Sequence, residues 1–212
     1  MGRPFSLSVT RLAPGDMAPL LNIDAISGAR IAVPNPTALV HLQFRRFAGC
    51  PVCKLHLRDI GNRHDELARA GIKEVAVFHS SHEALVRHQG DLPFHLIADP
   101  SMALYRKYRV ESSLMSVLHP RAWTRIIEGL CTYGFGRGKG EPAFGLPADF
   151  MVSRDGRIIA VKYGIHADDH WSVEEVLSLA VAESAQAETA APNVEVEYAP
   201  PRVSCYAGRK RS

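Results

Sequence analysis

The sequence predicts an α/β fold with a central mixed β-sheet flanked by helices, a helical and glycine-loop insertion, and a flexible C-terminal tail. Three observations carry that prediction. Apolar runs of strand length alternate with segments of helical period through the first half of the chain. A hairpin signal, Arg154-Asp155-Gly156, sits late in the alternation, where an antiparallel pair would join an otherwise parallel sheet. From Glu188 onward the apolar pattern gives way to Ala, Pro and charge.

The elements follow in order. Leu20 to Ile23 and Arg30 to Val33 form a short hairpin around Ser27-Gly28, and Thr37 to Phe44 is a buried strand with Leu39, Val40, Leu42 and Phe44 apolar. A helix starts at Pro51 and runs to Ala70 with Leu55, Leu57, Ile60, Leu67 and Ala68 at mostly helical spacing; Gly61-Asn62 loosens its middle and Gly71 ends it. Lys73 to Phe78 is the next strand, Ser81 to Gln89 a helix capped by Ser81, and Phe94 to Ala98 a third strand before Asp99-Pro100. Ser101 to Tyr108 is a short helix. Phe150 to Ser153 and Arg157 to Tyr163 are the late hairpin, and Ser172 to Ala187 is the closing helix. The segment 112–146 stands outside this core: an apolar helix-like run, Leu114 to Leu130, leads into Gly134-Phe135-Gly136-Arg137-Gly138-Lys139-Gly140. That glycine run lacks the Ser or Thr a phosphate loop needs after its lysine, so it reads as a mobile loop whose Arg137 and Lys139 could attract an anion.

Composition bounds the function. With 212 residues, 46% of them apolar, the chain can bury one core. The net charge of +3 comes from 25 basic and 22 acidic side chains spread along the chain, which argues against nucleic acid; Arg209-Lys210-Arg211 reads as a solubilising terminus. No apolar run reaches transmembrane length and the first residues do not form a signal peptide, so a cytoplasmic protein is expected. Met1 to Ser6 matches a myristoylation pattern formally, without the second anchor that stable attachment needs.

The chemistry centres on Cys50-Pro51-Val52-Cys53, where a strand ends and a helix begins. Cys50 stands among helix-start N–H groups that favour a thiolate, Pro51 suits the first helical position, and Arg45 and Arg46 bring cations just upstream. Cys50 is therefore the expected nucleophile and Cys53, one turn further in, the resolving thiol. A zinc site is the weaker reading, because Cys131 and Cys205 are isolated and His56 alone does not complete four ligands. Cys131 is expected to be buried and inert, and Cys205 is a second candidate for resolution. Trp123 and Trp171 are expected to pack, and the pairs His79/His82 and His166/His170 to be solvated surface groups, with no metal and no cofactor.

With this dithiol and element order the chain resembles the thioredoxin fold, and more narrowly the peroxiredoxin-like branch of the alkyl hydroperoxide reductase/thiol-specific antioxidant (AhpC/TSA) family. The resemblance covers Ala13 to Ala187 as one domain, with 112–146 inserted and 188–212 as tail. It rests also on Pro14-Gly15-Asp16-Met17-Ala18-Pro19, on Phe44-Arg45-Arg46, and on the run Leu146 to Ile158. It implies that Pro147, often cis in such proteins, faces the reactive cysteine and receives an incoming backbone, and that Phe47 and Arg46 border the substrate. The family's proline and threonine, seven and three residues before the peroxidatic cysteine, are replaced here by Gln43 and Phe47, so no hydroxyl is present there. Arg125 and Arg121 are the candidates for its catalytic arginine.

The expected function is a thiol-dependent antioxidant oxidoreductase that reduces peroxides or protein disulfides, regenerated by a thioredoxin- or glutaredoxin-type protein or a low-molecular-weight thiol. A homodimer is left open. The alternative from another class is a redox-sensing or scaffold protein without efficient peroxidase activity.

Overall fold

The computed structural model describes residues 10–110, 123–133 and 146–190. Its elements are β1 (Leu21–Asp24), β2 (Arg30–Val33), β3 (Leu39–Arg45), α1 (Pro51–Asn62), α2 (His64–Arg69), β4 (Ile72–Phe78), α3 (His82–Gln89), β5 (His95–Ala98), α4 (Ala103–Lys107), α5 (Trp123–Tyr133), β6 (Ala148–Val152), β7 (Ile158–Tyr163) and α6 (Val173–Ala190). β1 and β2 pair as a separate antiparallel ribbon, and the other five strands make one sheet in the order β5-β4-β3-β6-β7. β3 lies at its centre, parallel to β4 and antiparallel to β6, which makes the sheet mixed as the sequence predicts.

Every residue of β3 is buried, so both its faces are covered. Val40, Leu42 and Phe44 point into a layer built with the β1–β2 ribbon, Tyr105 of α4, Tyr108 and Phe150. On the opposite face of the sheet, Leu39, Ala76, Phe78 and Met151 pack on Leu57 and Ile60 of α1, Leu67 of α2, Leu85 of α3 and Val176 of α6. The β6–β7 connection is the expected tight turn: Gly156 takes φ 95° and Ser153 N–H donates to Arg157 O at 2.8 Å.

Most boundaries fall within two residues of the sequence reading, and two differ by more. The helix expected over Pro51 to Ala70 is two helices, broken at Arg63 (φ −112°, ψ 19°). The preceding Gly61 and Asn62 are poor helix formers, and the space beside Gly61 is taken by Pro93, whose Cδ would lie 3.3 Å from any Cβ there. Arg63 then pairs with Glu66 at 2.8 Å and with Glu174 of α6. α6 also continues past Ala187 to Ala190. Of the expected helix-like run Leu114 to Leu130, the described part lies in α5; the loop Gly134 to Gly140 and Cys205 lie outside the described residues. No helix among the described residues is long and apolar enough to cross a membrane.

Candidate active site

The site forms where β3 turns into α1. Cys50 N–H donates to Phe47 O at 3.0 Å, closing a tight turn through Ala48 and Gly49 that delivers Cys50 to the N-cap of α1 with Pro51 at the first helical position. The cap is the thiol itself: Cys50 Sγ accepts the Cys53 N–H at 3.5 Å. Arg46 Nη1 donates to the same sulfur from 3.7 Å. Burial pushes the Cys50 thiol up, but the Cys53 thiol, the Arg46 charge and the N–H groups of Cys53 and Val52 outweigh it and bring the pKa down to about 6. Cys53 moves the other way, first through burial and then because a neighbouring thiolate at Cys50 disfavours a second. Both thiols are free, and their surroundings push them apart, Cys50 towards the thiolate and Cys53 towards the thiol.

The pair is covered. Cys50 has no exposed surface and Cys53 only 3%. Phe47 and Val52 pack around them, and Ile126 of α5 closes the cluster from above. Gly129 of α5 lies directly on the backbone of Pro51, where a Cβ would stand 2.8 Å from the carbonyl carbon, and Lys54 Nζ sits 5.4 Å from the Tyr133 ring centroid. The outer face of α5 carries Ile127, Leu130 and Cys131, all exposed. Cys131 is thus not the buried residue the sequence suggests, because docking through Ile126, Gly129 and Tyr133 turns it to solvent.

Beneath α1, the second face of β3 is polar. His41 Nδ1 lies 2.8 Å from Glu74 Oε2 and its Nε2 3.3 Å from Asp149 Oδ1; Gln43 donates to Glu74. Arg45 Nη2 donates to Gln43 Oε1 and Asp149 Oδ1, each at 2.6 Å, and lies 2.8 Å from His56 Nε2. His56 stacks on His170 at a centroid distance of 3.6 Å, at the edge of a 470 Å³ cleft also lined by Asp59, Arg63 and Glu174. Burial favours neutral His41, yet Glu74 and Asp149 raise its pKa to about 9; burial likewise opposes ionisation of Asp149, and Arg45 and His41 overcome it to hold that carboxyl well below the usual range. The result is a buried set in which His41 and Arg45 face Glu74 and Asp149, with Arg45 Nε and Glu74 Oε1 left without a hydrogen-bond partner.

Of the residues singled out in the sequence, Cys50, Cys53, Arg46 and Phe47 meet at one point. Arg45 does not: strand alternation turns it to the buried network, away from the thiols. Arg121 lies outside the described residues, and of Arg125 only the backbone, in α5, is described. Pro147 is buried before β6, but the only cis peptide among the described residues is Val33-Pro34, so Leu146-Pro147 is trans. Its carbonyl accepts Gly164 N–H at 2.9 Å, extending the β6–β7 pairing, so one of its two acceptor positions is already used within the sheet. His79 is buried against the Tyr105 ring (5.8 Å) instead of solvated, while His82 is exposed; His166 and His170 are half-buried. Trp171 packs beside His41 at 5.7 Å, and nothing is described of the Trp123 side chain. Among the described residues no group of three or more His, Cys, Asp or Glu is placed to hold a metal ion. Sequence reasoning missed the buried network, although its signal was present: His41, Gln43 and Arg45 repeat at the strand period inside an otherwise apolar run.

Comparison with known proteins agrees with this architecture. The chain resembles the solved structures of Peroxidoxin BcpB from Mycobacterium tuberculosis (TM-score 0.60, 14% identity, 81% of this chain and 98% of that one) and the reduced 2-Cys peroxiredoxin of Plasmodium vivax (0.62, 12%, 84% of each). A cysteine-to-serine mutant of Peroxiredoxin 6 from Arenicola marina is similar too (0.60, 15%, 84% of this chain and 76% of that one). At these identities the likeness is one of fold, the thioredoxin-like fold of peroxiredoxins. No curated protein sequence matches the chain. The family described as AhpC/TSA antioxidant enzyme matches residues 59–165, half of the chain, beginning within α1 after the dithiol. The chain belongs to the AhpC/TSA antioxidant enzyme family.

Proposed function

We propose that the protein is a thiol-dependent antioxidant oxidoreductase in which Cys50 attacks a peroxide and Cys53 resolves the product. The observation that carries this reading is the asymmetry of the dithiol: Cys50 Sγ faces the Arg46 guanidinium and the helix-start N–H of Cys53, while burial and the neighbouring Cys50 sulfur disfavour ionisation of Cys53 one turn away. The Cys50 thiolate would attack one peroxide oxygen, forming an S–O bond as the O–O bond breaks. The leaving alkoxide or hydroxide takes a proton and departs as alcohol or water, with the Arg46 charge offsetting the anion that develops. Cys53 then loses its proton and attacks the sulfenic acid, water leaves, and a Cys50–Cys53 disulfide forms. Two thiols of a thioredoxin- or glutaredoxin-type donor, or of a small thiol, return both cysteines to the reduced state through a mixed disulfide.

Rapid mixing of the reduced protein with hydrogen peroxide tests the proposal. Second-order oxidation well above that of free cysteine, ending in a Cys50–Cys53 disulfide, is expected. A rate no better than free cysteine would remove the peroxidase reading and leave disulfide exchange or redox sensing. The full burial of Cys50 under α5 is what favours the sensing alternative, since access there would depend on displacing a helix.

A further inference from the structure

The turn that delivers Cys50 is gripped from outside. Ala48, its first central residue, is fully buried, so both of its peptide groups need partners. Its N–H donates to Ser80 Oγ at 2.8 Å and its carbonyl accepts from Gln89 Nε2 at 2.7 Å. Ser80 lies between β4 and α3, and Gln89 is the last residue of α3, so groups at the two ends of one helix hold the two peptide groups on either side of Ala48, two residues before the thiol. Both side chains are buried, at 1% and 2% exposure, where an amide or hydroxyl is costly unless it is bonded. Ser81 fixes the start of α3 by capping Ala84 N–H, which ties the Ser80 end of the bracket to the helix.

We propose that Ser80 and Gln89 are positioning residues that set the acidity of Cys50 by fixing the Phe47–Cys50 turn. The proposal rests on the reading of Cys50 as the nucleophile. Cys50 owes its acidity to the Cys53 thiol, to the Arg46 guanidinium 3.7 Å from its sulfur and to the Cys53 N–H at 3.5 Å, so its partners come from Cys53 and Arg46, one on each side of the turn. If the turn shifts, the sulfur moves relative to both. Burial, the opposing influence, does not depend on that alignment, so a loosened turn raises the thiol's pKa.

The test is the pH profile of Cys50 alkylation in the full-length reduced protein, with the labelled site read by peptide mass spectrometry, for wild type, Gln89→Met, Ser80→Ala and Ser80→Thr. Gln89→Met keeps the shape and removes the donor; Ser80→Thr keeps the hydroxyl. In both Gln89→Met and Ser80→Ala the apparent pKa of Cys50 rises by about one unit, which at about pH 5 is roughly a tenfold fall in labelling rate, while Ser80→Thr retains the wild-type profile. A change of thermal stability with an unmoved pH profile would make the contacts purely structural and overturn the proposal. Should Gln89→Met fail to fold, Ser80→Ala against Ser80→Thr decides alone. The two readings fail distinguishably. An ordinary cysteine pKa in the wild type sinks the functional reading and the clamp with it, whereas a low wild-type value unchanged in the variants sinks only the clamp.

Discussion

Gly129→Ala is the perturbation that most clearly separates α5 as a helix from α5 as a cover. A Cβ at this position would lie 2.8 Å from the Pro51 carbonyl carbon and 2.9 Å from its Cβ and carbonyl oxygen, well inside ordinary contact. The Pro51 backbone has little freedom to yield, because it begins a helix capped by the preceding cysteine. Relief must come from α5 lifting away. Overpacking of this kind costs about 1–3 kcal/mol, while alanine in place of glycine favours the isolated helix by about 1 kcal/mol whether it is docked or not. The helix should therefore persist while its docking weakens, by roughly 5- to 150-fold in the opening equilibrium. Alkylation of Cys50 by a neutral reagent, with the site read by mass spectrometry and helicity followed by far-UV circular dichroism, reports both. We expect Cys50 labelling to accelerate within that range at unchanged helicity. Thr124→Ala, on the exposed side of α5, should leave the rate at its wild-type value. A rate in Gly129→Ala equal to or below wild type would refute the idea that α5 controls access to the thiol.

Three further outcomes are expected. Cys50→Ser should abolish the reaction with peroxide, whereas Cys53→Ser should keep the first oxidation and lose turnover with a dithiol donor; stopped-flow oxidation followed by a coupled turnover assay checks both. Asp149→Leu should destabilise the fold by about 3–5 kcal/mol in urea unfolding, because it leaves Arg45 and His41 with one buried anion between them; a loss below about 1 kcal/mol would contradict the balanced-network account. His41 should make the protein less stable at alkaline pH. Its folded pKa of about 9 lies above the ordinary 6.5, so its contribution is complete below pH 6.5 and lost as pH rises through 9, on the order of 3 kcal/mol in all. Cys50, with its pKa lowered, acts in the opposite direction over part of that window. The comparison of wild-type His41 with His41→Gln therefore belongs in a Cys50→Ser background, and parallel stability-versus-pH curves for the two would count against a charged buried His41.

The parts of the fold that local chemistry dictates were legible in the sequence. Ser81 caps α3, Asp155-Gly156 makes the β6–β7 turn, and the thiol pair stands at a strand-to-helix junction because Pro51 can only begin a helix. What escaped depends on partners far along the chain. His41 is buried with Glu74, 33 residues on, and Asp149, 108 residues on, so its burial follows from a charge balance that no local window contains. The division of labour between Arg45 and Arg46 has the same origin. Both are buried, and only the placement of Asp149 on β6 shows that Arg45, the last residue of β3, joins the polar network while Arg46 faces the thiol. The exposure of Cys131 was hidden because the sequence does not say which face of α5 docks; Gly129, the one residue small enough to meet Pro51, decides it.

The most direct test of the central claim is the pH dependence of alkylation at Cys50 and Cys53, resolved residue by residue in the reduced wild-type protein. Cys50 should label with an apparent pKa of about 6, and Cys53 should remain unlabelled until well above it. Equal labelling of the two, or labelling of Cys53 first, would contradict the assignment of Cys50 as the nucleophile.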